Sequence, residues 1–348
     1  MRALNKEILR LALPSILANI TVPLVGMVDI AVAGHLDSSA AALIGGIAIG
    51  SLMFDMMYWN FGFLRAGTGG MTAQAFGRED WSGCTANLRR GLLVAIFSAL
   101  LLILVQWPFQ KLIFVFVHCS DEVKALALKY FYIRVWAAPA TLSLMVLRGW
   151  FIGMQDSLSS MLTDVTVNGM NILASLVLGL GIPGTSFRGI GFTGIAWGTV
   201  AAQYSGILFA AGILLLKYRK VLDVPEAGRK AITVAVGEVV PAAMCRGDHL
   251  PLQGAKRRET RHLLPPELRE FVSVNGDLFV RSLCLMAIYL AFSAISARFG
   301  DTHLAMCSIM VKLMLVFSYF TDGFAFAGEA LTGRFFGRGD APAVSQTV

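Results

Sequence analysis

Residues 11–34 read LALPSILANITVPLVGMVDIAVAG, a run in which Asp29 is the only charged side chain. It exceeds the roughly 20 residues that a bilayer-spanning helix needs. Seven more apolar windows follow, at 40–64, 92–107, 125–147, 161–182, 190–216, 271–297 and 304–327. Across its 348 residues the chain is 56% hydrophobic and 15% charged, with a mean hydropathy of +0.68, so water is not its main solvent. A transmembrane barrel would instead alternate apolar and polar residues in segments of about 10. The expected fold is therefore an all-α integral membrane protein with about eight transmembrane helices. The basic start, Met1 to Arg10, and the triplet Ala31-Val32-Ala33 imitate a cleaved signal peptide. The length of the apolar core beside Asp29 fits a retained first transmembrane helix better.

With the N-terminus placed in the cytoplasm, the inner loops hold eighteen Lys and Arg, eleven of them between Lys217 and Arg269. The outer loops hold only Lys111, Lys124, Arg188 and Arg298, so the positive-inside rule sets the orientation. The net charge of +7 is then mostly topology. Lys256-Arg257-Arg258 with Arg261 reads as a loop facing anionic lipid rather than a nucleic-acid patch. Membrane lipid is an expected partner and nucleic acid is not. The five cysteines, Cys84, Cys119, Cys245, Cys284 and Cys307, make no CxxC pair. The five histidines, His35, His118, His249, His262 and His303, fall in expected loops without ligand spacing. No metal site, cofactor or converged catalytic set is expected, and the chain does not read as an enzyme.

The end of the second window, TGGMTAQAFGRED at 68–80, returns as GEALTGRFFGRGD at 328–340. At a constant offset of 260, Thr72, Phe76, Gly77, Arg78 and Asp80 fall on Thr332, Phe336, Gly337, Arg338 and Asp340. Such self-similarity points to duplication. Six spans separate the copies, an even number that leaves both units in one orientation, as in parallel-repeat transporters. The chain then divides into a six-helix lobe over 1–218, a cytoplasmic connection over 219–268 and two helices of a second lobe over 269–348. Within the connection the apolar run at 231–244 is too short to span, and the segment reads as a loop with room for an interfacial helix.

A carboxylate in a hydrocarbon-spanning helix is costly and marks function by default. Asp29 is the leading case, 15 residues after Pro14, which removes a helix hydrogen bond and invites a bend. The alternative is an acid that snorkels to the outer surface near His35. Asp55, Tyr58, Asn60 and Arg65 form a polar and aromatic strip in the second helix that either lines a cavity or, for Arg65, closes the helix by pairing with Asp322 or Glu329. Asp277 and Arg281 are one turn apart and suit an i,i+4 pair. Asp322 and Glu329 in the last window are further charges in need of partners.

Several stretches resemble the MATE transporters, and within them the DinF-like bacterial branch. Ala12-Leu-Pro14 followed by Val28-Asp29 looks like the family's bent first helix with its acid. Tyr58-Trp-Asn-Phe-Gly-Phe-Leu-Arg65, Gly67-Thr68 and Ala73-Gln-Ala-Phe-Gly77 resemble the end of the second helix. Arg148-Gly149 with Gly153 and Asp156 is similar to the loop between helices four and five, and residues 317–331 resemble helix eight. The likeness implies a multidrug antiporter of the bacterial cytoplasmic membrane that exports small amphipathic organic cations in exchange for H+ or Na+. It also implies that Asn171, Ser175 and Thr199 join Asp29 in a cation-coupling network. Ser175 stands where archaeal relatives carry a second aspartate, which leaves Asp29 as the titrating group. Family members usually have twelve helices, so the resemblance implies a chain truncated after the eighth. The alternatives are a non-transporting remnant, or a lipid-linked oligosaccharide flippase, which should carry more cavity arginines.

Overall fold

In the computed structural model, which describes residues 2–36, 40–117, 119–182, 184–222, 276, 279–285, 288, 291 and 301–347, each apolar window before residue 218 becomes helix. The elements are α1 (Arg2–Gly34), α2 (Ala40–Tyr58), α3 (Gly62–Gly77), α4 (Trp81–Phe116), α5 (Asp121–Arg134) and α6 (Ala138–Gly153). There follow α7 (Ser157–Leu180), α8 (Phe192–Lys217), the short α9 (Arg219–Leu222), α10 (Asp301–Arg338) and α11 (Ala341–Thr347). Two spans are broken rods. A 3₁₀ turn at Trp59–Phe61 joins α2 to α3 at a bend of 40°, and another at Val135–Ala137 joins α5 to α6. Among the described residues five helices, or six with the bent pair as one span, are long and apolar enough to cross a membrane. The chain is a multi-pass membrane protein.

The fourth span, α5 with α6, is the axis of the lobe. Of its apolar window 72% is buried, against 17–28% in the other four, so they surround it and face lipid. Phe131, Leu142, Trp150 and Phe151 are fully buried along it, and the Trp150 indole donates to the Cys84 carbonyl at 2.9 Å. The outward rows carry Phe97, Leu104 and Leu216, which suit a hydrocarbon solvent.

The sequence repeat is a repeat of structure. In each copy the helix ends with a residue at positive φ, Glu79 (61°) or Gly339 (74°). The following aspartate amide reaches back five residues, Asp80 to the Ala75 carbonyl at 2.9 Å and Asp340 to Phe335 at 3.0 Å. This is a Schellman ending. The same aspartate then caps the next helix, Asp80 accepting from the Gly83 amide at 2.8 Å and Asp340 from Ala343 at 3.1 Å. A third instance was not visible as a repeat: Gln155 lies at φ 62°, the Asp156 amide bonds Phe151 at 2.9 Å, and Asp156 accepts from Ser159.

The two copies also touch. A Cβ on Gly77 would lie 2.1 Å from the Arg334 carbonyl oxygen, and one on Gly337 would lie 2.1 Å from that of Gln74, its counterpart at offset 260. A Cβ on Gly333 would meet Ala73 Cβ, its own counterpart, at 2.7 Å. α3 and α10 therefore cross in parallel about a local two-fold, with glycines letting the backbones meet.

Other expectations fall differently. The window at 271–297 is described only at 276, 279–285, 288 and 291, all helical, and the run at 231–244 lies outside the described residues. His303, read as a loop residue, belongs to α10 because the helix starts at Asp301, before the apolar window.

Candidate ion and substrate site

α1 runs as one helix through both Pro14 and Pro23. A proline frees the carbonyl four residues earlier. For Pro14 that is Arg10, whose oxygen accepts the Ser157 hydroxyl from the start of α7 at 3.4 Å. Pro23, which sequence reasoning passed over, stands six residues before Asp29 and so closer to the acid.

Asp29 is 5% exposed, so it does not snorkel. The Ser175 hydroxyl donates to Asp29 Oδ1 at 2.8 Å and lies 3.3 Å from Asn171 Oδ1. The Asn171 amide donates to Thr199 Oγ1 at 3.2 Å, and Thr199 in turn reaches the Ile195 carbonyl at 3.4 Å. Asn171 and Ser175 are one turn apart on the buried face of α7, which puts both on one line toward α8. α8 can come that close because of Gly198, whose Cβ would lie 2.8 Å from the Ser175 amide nitrogen. A hydroxyl has one proton to give. Ser175 therefore serves Asp29 or Asn171, and the charge on Asp29 decides which.

Beside this network, Phe54, Asp55, Tyr58, Arg134, Thr199 and Gln203 line a cavity of about 150 Å³. Arg134 was missed, although an arginine inside the window at 125–147 was the available signal. Its guanidinium donates to Ser51 Oγ at 3.3 Å and to the Tyr130 hydroxyl at 3.2 Å, and lies 4.7 Å from the Phe54 ring centroid. Its charge acts on both Asp29 and Asp55.

Arg65 goes elsewhere. The break at Trp59–Phe61 divides the expected strip, leaving Asp55 and Tyr58 at the first cavity and sending Arg65 to a second of about 210 Å³ with Arg148 and Asp164. Asn60, in the break, donates to the Met56 carbonyl at 3.1 Å. Arg148 pairs with Asp164 at 2.5 Å, and Arg65 lies 3.7 Å over the Phe326 ring within the field of Glu329 and Asp322. The Glu329 carboxylate accepts the Gly70 amide. α10 is thus tied to the lobe by charge. Asp277 lies outside the described residues, and Arg281 is exposed.

At the membrane edge Asp156 gathers three side-chain donors: Lys217 Nζ at 2.6 Å, the Tyr218 hydroxyl at 2.6 Å and the Ser159 hydroxyl at 2.5 Å. Burial alone would raise its carboxyl, but the bonds from Lys217, Ser159 and Tyr218, with the Lys217 charge, outweigh it and hold Asp156 below the usual carboxylate range. Burial and the bond to Asp156 push the Tyr218 phenol upward.

The MatE family model matches residues 14–177. The chain is 32% identical over 336 residues to DNA damage-inducible protein F of Escherichia coli (strain K12), covering 97% of this chain and 64% of that protein. It is 24% identical over 356 residues to a probable multidrug resistance protein NorM of Synechocystis sp., covering 100% of this chain and 68% of that one. It thus spans about two thirds of the length of these two relatives. Two solved structures share the fold: MATE in the bent conformation, at TM-score 0.77 and 18% identity over 99% of this chain and 68% of that one, and a MOP superfamily transporter from Pyrococcus furiosus, at TM-score 0.77 and 16% identity over 99% and 67%.

Proposed function

Because the chain belongs to the MATE family of transporters, in its DinF-like branch, we propose that it is the ion- and substrate-binding lobe of a secondary active antiporter. It exports small amphipathic organic cations across the bacterial cytoplasmic membrane in exchange for protons, or for sodium, with its N-terminus in the cytoplasm. The observation that carries this reading is the buried Asp29–Ser175–Asn171–Thr199 network beside the cavity of Asp55 and Tyr58. A buried acid in a membrane span is retained for what it binds. A proton on Asp29 releases the Ser175 hydroxyl to Asn171, which rearranges the line toward Thr199 at the cavity wall. A ligand shifts such an equilibrium only by its differential affinity for the two arrangements, and the coupling is reciprocal. The cavity is smaller than the roughly 300–1,000 Å³ of drug-sized sites. It therefore takes the charged group of a substrate, whose apolar body lies outside it.

The test is efflux of a fluorescent organic cation from proteoliposomes holding the full chain, under separately imposed proton and sodium gradients. Asp29→Asn is expected to abolish gradient-driven efflux; unchanged efflux would sink the reading. Binding without efflux from the unaltered chain would support the non-transporting alternative. A second reading, export of an anionic lipid-linked substrate, is favoured by the three cavity arginines, Arg65, Arg134 and Arg148. Each faces carboxylates, however, which lowers its attraction for an anion. Transport of an anionic amphiphile in preference to the cation would decide for it.

A further inference from the structure

Resting on that reading, we infer that Arg134 is a tethered counter-cation that sets the valence of the cavity, which accepts one positive charge at a time, a proton or a monocation, and disfavours dications. The ionisable groups around it come from five helices: Asp29 of α1, Asp55 and Tyr58 of α2, Tyr130 of α5, Tyr204 of α8 and Tyr319 of α10. Two carboxylates and one guanidinium leave a single negative charge when both acids are ionised.

Arg134 cannot withdraw from this balance. Ser51 and the Tyr130 hydroxyl hold its Nη1, and the Phe54 and Tyr130 rings lie 4.7 and 5.5 Å from its guanidinium carbon. It also occupies the Phe54 face, an aromatic surface that would otherwise attract an incoming cation. The cavity still holds free handles for a ligand. The Tyr58 hydroxyl, on a residue 7% exposed, and Gln203 Oε1 line it without a hydrogen-bond partner among the described residues. Buried polar atoms are normally partnered, so these two mark where a bound group completes the site.

The experiment measures binding of hexyltrimethylammonium, a monocation, and N-hexyl-N,N,N′,N′,N′-pentamethylethylenediammonium, a dication with both charges at one end of the same apolar tail, to the purified full chain in detergent from pH 6 to 9, by calorimetry. The unaltered chain is expected to prefer the monocation. Arg134→Gln should tighten the dication relative to the monocation on the order of tenfold or more, since a second negative charge is uncovered. It should also move the pH midpoint of binding upward, because two acids without their counter-cation keep a proton more readily. Arg134→Lys should keep the original preference and midpoint. Asp55→Asn, an isosteric change, should neutralise the cavity and weaken the monocation by a similar factor. An unchanged preference and midpoint in Arg134→Gln, or full monocation affinity in Asp55→Asn, overturns the inference while leaving Asp29-dependent efflux standing. Gain of dication binding in Arg134→Gln, in a chain that effluxes no cation, upholds it and defeats the transport reading. No binding of either cation by any variant defeats both.

Discussion

The crossing of α3 and α10 makes a quantitative prediction about Gly77 and Gly337. An alanine at either position would put a methyl group 2.1 Å from a carbonyl oxygen, where real Cβ contacts do not fall below 3.0 Å, so the helices must part by about 0.9 Å. The obstacle is backbone and cannot rotate aside. A gap of that size forfeits roughly a quarter to a half of each dispersion contact across it. Leu331, Ala330 and Ala73 are buried at or beside the crossing, and a buried leucine alone makes 40–60 contacts of roughly 0.1–0.2 kcal/mol each. Each single substitution is therefore expected to cost about 2–4 kcal/mol. Both substitutions demand the same separation, so the double variant should cost little more than either alone. Gly26→Ala and Gly169→Ala, whose added Cβ meets nothing within 4 Å, serve as controls expected to be neutral or slightly stabilising. Reversible unfolding in mixed detergent micelles reads all five variants. Single-variant losses no larger than the controls, or additive losses in the double variant, would refute the close crossing.

Further expectations concern the membrane edges. Asp156→Asn keeps a competent N-cap but removes the charge that Lys217 and Tyr218 meet, and should cost about 1–2 kcal/mol at neutral pH, discounted because Lys217 is half exposed. Its native carboxyl lies below the unfolded value of about 3.9, so that stability is complete above this pH and is lost only as pH falls through the lower folded value. A stability gap between the native chain and Asp156→Asn that closes between pH 7 and 6 would contradict it. Cys119 lies partly exposed between α4 and α5. In a variant that keeps only this cysteine, an impermeant maleimide should label intact cells from outside if the N-terminus is cytoplasmic, and protection until lysis would reverse the orientation.

The spans were legible because hydrophobic length is a one-dimensional property, and Asp29 stood out because a lone carboxylate in such a span is conspicuous. The break at Trp59–Phe61 was not, since no proline announces it, and the one at Val135–Ala137 was passed over although Pro139 has no N–H for the Val135 carbonyl, which takes the Ala138 amide instead. Ser175 and Asn171 were placed by resemblance, because a hydroxyl and an amide in a membrane helix have no sequence signature separating packing from ion coupling. Arg134 and Asp164 were overlooked for a different reason. Counting charges by loop ignores charges within windows, and their partners lie on helices far away in sequence. The third turn, at Gln155 and Asp156, escaped because its likeness to the other two lies in backbone conformation and capping more than in residue identity.

The local two-fold between α3 and α10 holds a record of divergence. Gly69 and Glu329 are counterparts at offset 260, and they face each other: a Cβ on Gly69 would lie 2.8 Å from Glu329 Oε1. An identical pair cannot fill this place, since two glycines would leave a hole and two glutamates would set like charges in the same volume. The duplicated positions have become peg and socket, one copy surrendering the volume that the other's carboxylate fills beside Arg65. Where a self-mated surface has specialised in this way, exchanging the two halves is no longer a neutral operation.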